Sequence, residues 1–112
     1  MASVDECRQA LTELAAKMAA NADQVRNRVN LDRTLACRIT DLGAAFHGRI
    51  ADGRLVDLAD GDDPKAKIAL NTSSDDLLRL VRGELDLPKA LAARRVSLQA
   101  NPLDLLKLRK LL

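Results

Sequence analysis

Two short runs that alternate apolar and polar residues, lying between Arg33 and Gly53, constrain this chain's fold more than any other stretch. In the first, Leu35, Cys37 and Ile39 fall on one side of an extended backbone and Ala36, Arg38 and Thr40 on the other. In the second, Phe46 and Ile50 share a side with Gly48, while His47 and Arg49 point the opposite way. Alternation with a period of two means a strand with one buried face and one wet face. Asp52-Gly53 then supplies a residue pair favoured in two-residue hairpin turns, where positive φ is required. The reading is an antiparallel sheet with one apolar face, and what covers that face decides what the protein can do.

The flanking stretches supply the cover. Residues 3–26 read as a helix, with Val4, Cys7, Leu11, Leu14, Met18 and Val25 at three- and four-residue steps, Ser3 and Glu6 as a capping box, and an interruption at Asn21. After a connector at 27–32 come the two strands above. A third strand runs over 54–58 with Val56 and Leu58 inward. Gly61-Asp62-Asp63-Pro64 is a loop, and 66–72 is a fourth strand with Ile68 and Leu70 inward. Ser73, with Asp76 as its box partner, caps a helix carrying Leu77, Leu78, Leu80 and Val81 that stops at Gly83. Asp86 and Pro88 open a short helix to Ala93, residues 95–99 form a fifth strand through Val96 and Leu98, and Asn101-Pro102 starts a last helix. That helix has leucines at 103, 105, 106, 108, 111 and 112, which calls for burial over a wide arc. No helical crossover separates the first four strands, so the pattern predicts a meander within an α+β fold, helices gathered on one face of a mainly antiparallel sheet.

Composition excludes several functions. A chain of 112 residues fits one domain, 1–112, with a core of its own. Phe46 is the only aromatic residue and the net charge is only +2, so nucleic-acid binding by base stacking is not expected. The basic residues Lys107, Arg109 and Lys110 read as the solvated face of the last helix. No apolar run reaches the ~18 residues of a membrane span, and no signal-peptide pattern opens the chain. Cys7 and Cys37 sit at apolar positions and read as free buried thiols, which together predicts a cytoplasmic protein.

Catalytic and metal chemistry find no constellation. His47, the one histidine, lies on the polar side of its strand, opposite Cys37, so the two do not converge on a metal. Asp60, Asp62 and Asp63 lack the further ligands of a calcium loop, the glycines form no phosphate loop, and Ser73 and Ser74 have a ready role as caps. No enzyme activity, metal or cofactor is expected.

Three segments in order, FHGRIADGRL at 46–55, KAKIALNTSSDDLLRLVRGELDLPKAL at 65–91 and RVSLQANPLDLLKLRKLL at 95–112, resemble the sterol carrier protein type 2 (sterol-binding) domain family. The likeness spans about residues 33–112. It departs at Arg94 and Ala100, where the family usually has glycine around the last strand, which implies turns of different build there. The resemblance implies a five-stranded, mainly antiparallel sheet under helices, with an apolar tunnel between them. The implied ligand is a hydrophobic small molecule, a sterol or fatty acyl lipid, bound without membrane insertion. Leu35, Cys37, Ile39, Phe46, Ile50, Ile68, Leu70, Leu77, Val81, Leu98, Leu106 and Leu111 are the lining candidates, each of them equally suited to a plain core. The alternative is a non-catalytic structural or interaction module of the same fold, using the leucine-rich last helix for a homodimer or a partner protein.

Overall fold

The computed structural model describes residues 1–28 and 30–109. Ser3 caps α1 (Val4–Ala20) through the reciprocal box with Glu6, and the helix breaks at Asn21 before α2 (Ala22–Arg28). The strands are β1 (Arg33–Ile39), β2 (Ala44–Ala51), β3 (Arg54–Asp60), β4 (Ile68–Thr72) and β5 (Ser97–Gln99). Helices α3 (Ser74–Val81) and α4 (Leu87–Ala92) lie between β4 and β5, and α5 (Pro102–Arg109) follows β5. The fold is α+β, with a five-stranded, mostly antiparallel sheet.

The sheet order is β3-β2-β1-β4-β5. Only the first three strands meander; β4 crosses to the free edge of β1 and pairs with it in parallel, Leu35 beside Ile68 and Cys37 beside Leu70. The expected four-strand meander is therefore corrected. Alternation along a strand assigns its faces but not its neighbour, and the connection from Gly61 to Lys67 is long enough to carry the chain across. Docking at β1 places Ile68 and Ala69, both buried, beside the central strand of the sheet.

The Asp52-Gly53 turn forms as its dipeptide predicts, with φ of 53° and 74°. β3 departs from expectation. Asp57 adopts φ 56° and the register shifts between His47 and Arg49, so a bulge inserts one extra residue opposite Gly48. Leu55 and Leu58 then face the core, while Val56 pairs with Arg49 on the outer face. Gly48 accommodates the bulge, since a Cβ there would lie 3.0 Å from the Val56 carbonyl oxygen.

One core cluster joins Cys7, Ala10 and Leu11 of α1, Leu77 and Val81 of α3, and Cys37, Ile39 and Phe46 of the sheet. Each helix brings one apolar stripe to the same sheet face. A second cluster, Leu31 and Ile68 with Leu35, Ile50, Leu98 and Leu108, lies toward α5. Asn101 caps α5 by accepting from the Asp104 N–H at 2.8 Å. Asp104 is itself fully buried and accepts from Arg33 Nε at 3.0 Å. The wide buried arc expected of α5 is not what forms: Leu103 and Leu106 face solvent, because the helix docks through Asp104 and Leu108. Ser73 caps α3, yet the box with Asp76 is only half made. The Asp76 carboxylate instead takes a hydrogen bond from Arg95 at 2.7 Å.

Candidate functional site

Between α1, α3, the α3–α4 connection and the apolar face of the sheet lies a cleft of about 700 Å³. Its floor is buried and aliphatic: Leu11 from α1, Cys37 from β1, Leu55 from β3, and Leu77 and Val81 from α3. Its rim is half-exposed or exposed: Leu14 and Leu80 on the helices, then Leu85, Asp86, Leu87 and Pro88 in the connection into α4. The gradient from buried floor to open rim places the mouth at the α3–α4 connection. Asp86 is the one charged residue among the described residues lining it.

The local sequence explains the walls. α1 carries Leu11 and Leu14 at adjacent turns of one stripe, and α3 carries Leu77, Leu80 and Val81 on one side. Lys17 Nζ donates to the Val81 carbonyl oxygen at 2.9 Å, tying the last turn of α3 to α1 where unpaired carbonyls need donors. Gly83, at φ 74°, closes α3 and reverses the chain, so that Leu85 and Leu87 come back over the cleft. Asp86 caps α4 by accepting from the Lys89 N–H at 3.4 Å.

Five of the sequence candidates line this cleft together: Leu35, Cys37, Leu70, Leu77 and Val81. Ile39 and Phe46 lie in the core beside it. Phe46 forms a second layer, bordering only a void of about 10 Å³ shared with Leu11, Leu35, Cys37 and Leu55. The Arg8 guanidinium stands 5.8 Å from its ring centroid. Ile50, Ile68 and Leu98 belong to the second cluster, which adjoins the cleft through Leu35, and do not line it. Leu106 is 56% exposed on α5, and Leu111 lies outside the described residues. Sequence reasoning missed Leu11, Leu14, Leu55, Leu80 and the stretch Leu85–Pro88 as lining residues. The signal available for the last group was the leucine spacing in LLRLVRGELDLP, which continues past the helix-ending Gly83.

The polar groups singled out in the sequence are held elsewhere. His47 Nδ1 lies 2.9 Å from the Gly61 carbonyl oxygen; a carbonyl can only accept, so that nitrogen donates. Asp60 pairs with Arg8, Asp62 with Arg38, and Asp63 accepts from the Lys65 N–H. Ser74 donates its hydroxyl to Asp41 at 2.6 Å and accepts from the Ala2 N–H, docking the N-terminus on α3. Its hydrogen bonds, first among them the one from the Ser74 side chain, hold the Asp41 carboxyl below the usual range. Burial pushes the Cys37 thiol up to about 12, with the nearby Cys7 adding to it. A thiol so placed lines the cleft as a small apolar group. No helix among the described residues is long and apolar enough to cross a membrane.

A mostly antiparallel sheet with helices over one face, enclosing an aliphatic cleft, defines a small α+β domain shaped around an apolar interior space. The chain belongs to the SCP-2 sterol transfer family, whose model matches residues 8–112. No curated protein matches it in sequence. Among solved structures, it is similar to sterol carrier protein domain 2 of Helicoverpa armigera, with a TM-score of 0.71, 17% identity, and coverage of 95% of this chain and 84% of that one. A crystal structure of sterol carrier protein 2 shares the fold at a TM-score of 0.65 and 12% identity, with coverage of 88% and 82%. Similarity also extends to the stereoselective inverting sec-alkylsulfatase of a Pseudomonas species, at a TM-score of 0.63 and 25% identity over 82% of this chain. The chain spans only 14% of that sulfatase, and 13% of a double mutant of a sec-alkylsulfatase that it also matches.

Proposed function

We propose that the chain binds one hydrophobic lipid, a sterol, fatty acid or fatty acyl group, in the cleft and hands it on without covalent chemistry. The observation that carries this is the cleft itself: about 700 Å³ lined by leucine, valine and proline, with a thiol and a single carboxylate. That volume falls within the ~300–1,000 Å³ common to small-molecule sites. Removing an acyl chain from water contributes about 0.8 kcal/mol per CH₂, so ten buried carbons suffice for useful affinity. Non-catalytic action is supported by the polar groups, whose partners lie outside the cleft: His47 at Gly61, Ser74 at Asp41, and the loop aspartates at Arg8, Arg38 and the Lys65 N–H. Two free, buried cysteines suit a reducing, cytoplasmic setting.

Native mass spectrometry of freshly purified protein, followed by lipid extraction, tests the proposal. A stoichiometric apolar ligand is the expected result. Delipidated protein that takes up neither acyl nor sterol probes overturns it. The likeness to part of an alkylsulfatase favours one second reading, an accessory module that works inside a larger assembly without a free lipid of its own. That reading predicts an empty cleft on purification.

A further inference from the structure

We infer that Asp86 is a specificity-determining residue: it weakens the binding of lipids with an anionic head, fatty acids included, relative to those of equal tail with a hydroxyl or ammonium head. The inference rests on the cleft being a lipid site. The tail of any amphiphile enters the buried floor at Leu11, Leu77 and Val81, because that is where apolar surface leaves water completely. Its head then stops at the mouth, where the α3–α4 connection is exposed and Asp86 is the charged group. The Asp86 carboxylate accepts one long hydrogen bond from the Lys89 N–H, at 3.4 Å, and forms no ion pair among the described residues. It retains acceptor capacity for a hydroxyl or ammonium donor.

Among the described residues, the lining offers an anionic head no cation. Lys17, whose ammonium reaches the lining residue Val81, is engaged at that residue's carbonyl oxygen, on the seam between α1 and α3. Lys89 is exposed one turn into α4, and its hydrogen bond to Asp86 comes from the backbone, not the ammonium. A carboxylate head at the mouth thus gives up part of its hydration beside a like charge, and both effects disfavour it. An ammonium head meets the opposite sign, and a hydroxyl gains a hydrogen bond to a charged acceptor.

The test compares three ligands of equal tail length, decanoate, decanol and decylammonium. Each is titrated by calorimetry into the delipidated full chain at neutral pH and low salt. Wild type is compared with Asp86→Asn, which keeps a good helix cap while removing the charge. In the variant, decanoate should bind about two- to fivefold tighter and decylammonium weaker by a similar factor, with decanol changing less than about twofold, as befits a screened charge at an exposed mouth. Asp86→Ser, also a good cap, supplies the same comparison should the Asn variant fold poorly. Affinities for decanoate and decylammonium that stay fixed, or move in the same direction, overturn the role of Asp86 while leaving the lipid site intact. Failure of all three to bind wild type overturns the lipid site and the inference with it.

Discussion

At the scale of single residues, Arg94 shows what the chain tolerates to keep its fold. The family resemblance puts glycine at this position, and the structure keeps the left-handed backbone a glycine would take, φ 60°, with an arginine in its place. The expectation of a differently built turn is thus corrected: the Arg94 N–H still bonds the Leu91 carbonyl oxygen and the Arg95 N–H that of Ala90, closing α4. A β-carbon in this conformation costs roughly 1–2 kcal/mol, partly offset by the greater freedom of glycine in the unfolded chain. The side chain is exposed. Arg94→Gly should therefore raise stability by about 0.5–1 kcal/mol in urea denaturation. The cysteines give a second prediction at this scale. Cys37 is pushed up to about 12 by burial, and Cys7 is raised for the same first reason. Both should resist iodoacetamide at pH 8 in the native protein and react fully in denaturant. A thiol raised in the folded state holds its proton longer than it does unfolded. Its stabilising contribution is complete below the ordinary thiol value of ~8.5 and is lost as pH rises toward 12. An alkaline denaturation series should show stability falling across that window.

At the scale of elements, the hairpin between β2 and β3 is pinned by its turn. Gly53 takes φ 74°, and a Cβ there would stand 2.4 Å from the Ala22 carbonyl oxygen and 2.9 Å from the Arg26 nitrogen. The turn therefore docks against the backbone of α2, which cannot give way as a flexible side chain would. Gly53→Ala should cost about 2–4 kcal/mol, read as a drop in urea midpoint, through both the strained φ and the forced separation. This turn was legible in the sequence because its requirement is local: Asp52-Gly53 suits two positive φ values whatever the rest of the chain does. Helix starts at Ser3, Ser73, Asp86 and Asn101 were legible for the same reason. What stayed hidden depends on distant partners. The parallel pairing of β4 with β1 leaves no mark on either strand's alternation. The bulge at Asp57 exchanges Val56 for Leu55 on the inner face by adding one residue to one strand, and its only sequence trace is Gly48 on the strand opposite. The cleft was half-legible. Leu35, Cys37, Leu70, Leu77 and Val81 follow from strand and helix periodicity, whereas Leu85 and Leu87 reach it through a chain reversal that periodicity does not describe.

At the scale of the whole molecule, the apolar interior divides into a packed part and an unpacked part, and one chain must keep both. Phe46, 2% exposed and joined to α1, α3 and β1 through the core cluster, belongs to the packed part. Leu80, half-exposed on α3, faces the unpacked part. The two positions should respond in opposite ways. Phe46→Ala removes the largest fully buried side chain and should cost about 3–5 kcal/mol of stability. Leu80→Gln replaces one good helix former by another at a site already partly in water, so stability should change by less than about 1 kcal/mol. With a lipid in the cleft the same amide is taken out of water without a partner, so decanol affinity should fall about tenfold, equivalent to about 1.4 kcal/mol. Chemical denaturation and ligand titration on the same two variants separate the terms. If Leu80→Gln lost stability as Phe46→Ala does while keeping its ligand affinity, the cleft wall would be ordinary core. A wild-type affinity lost at unchanged stability assigns the wall to the ligand.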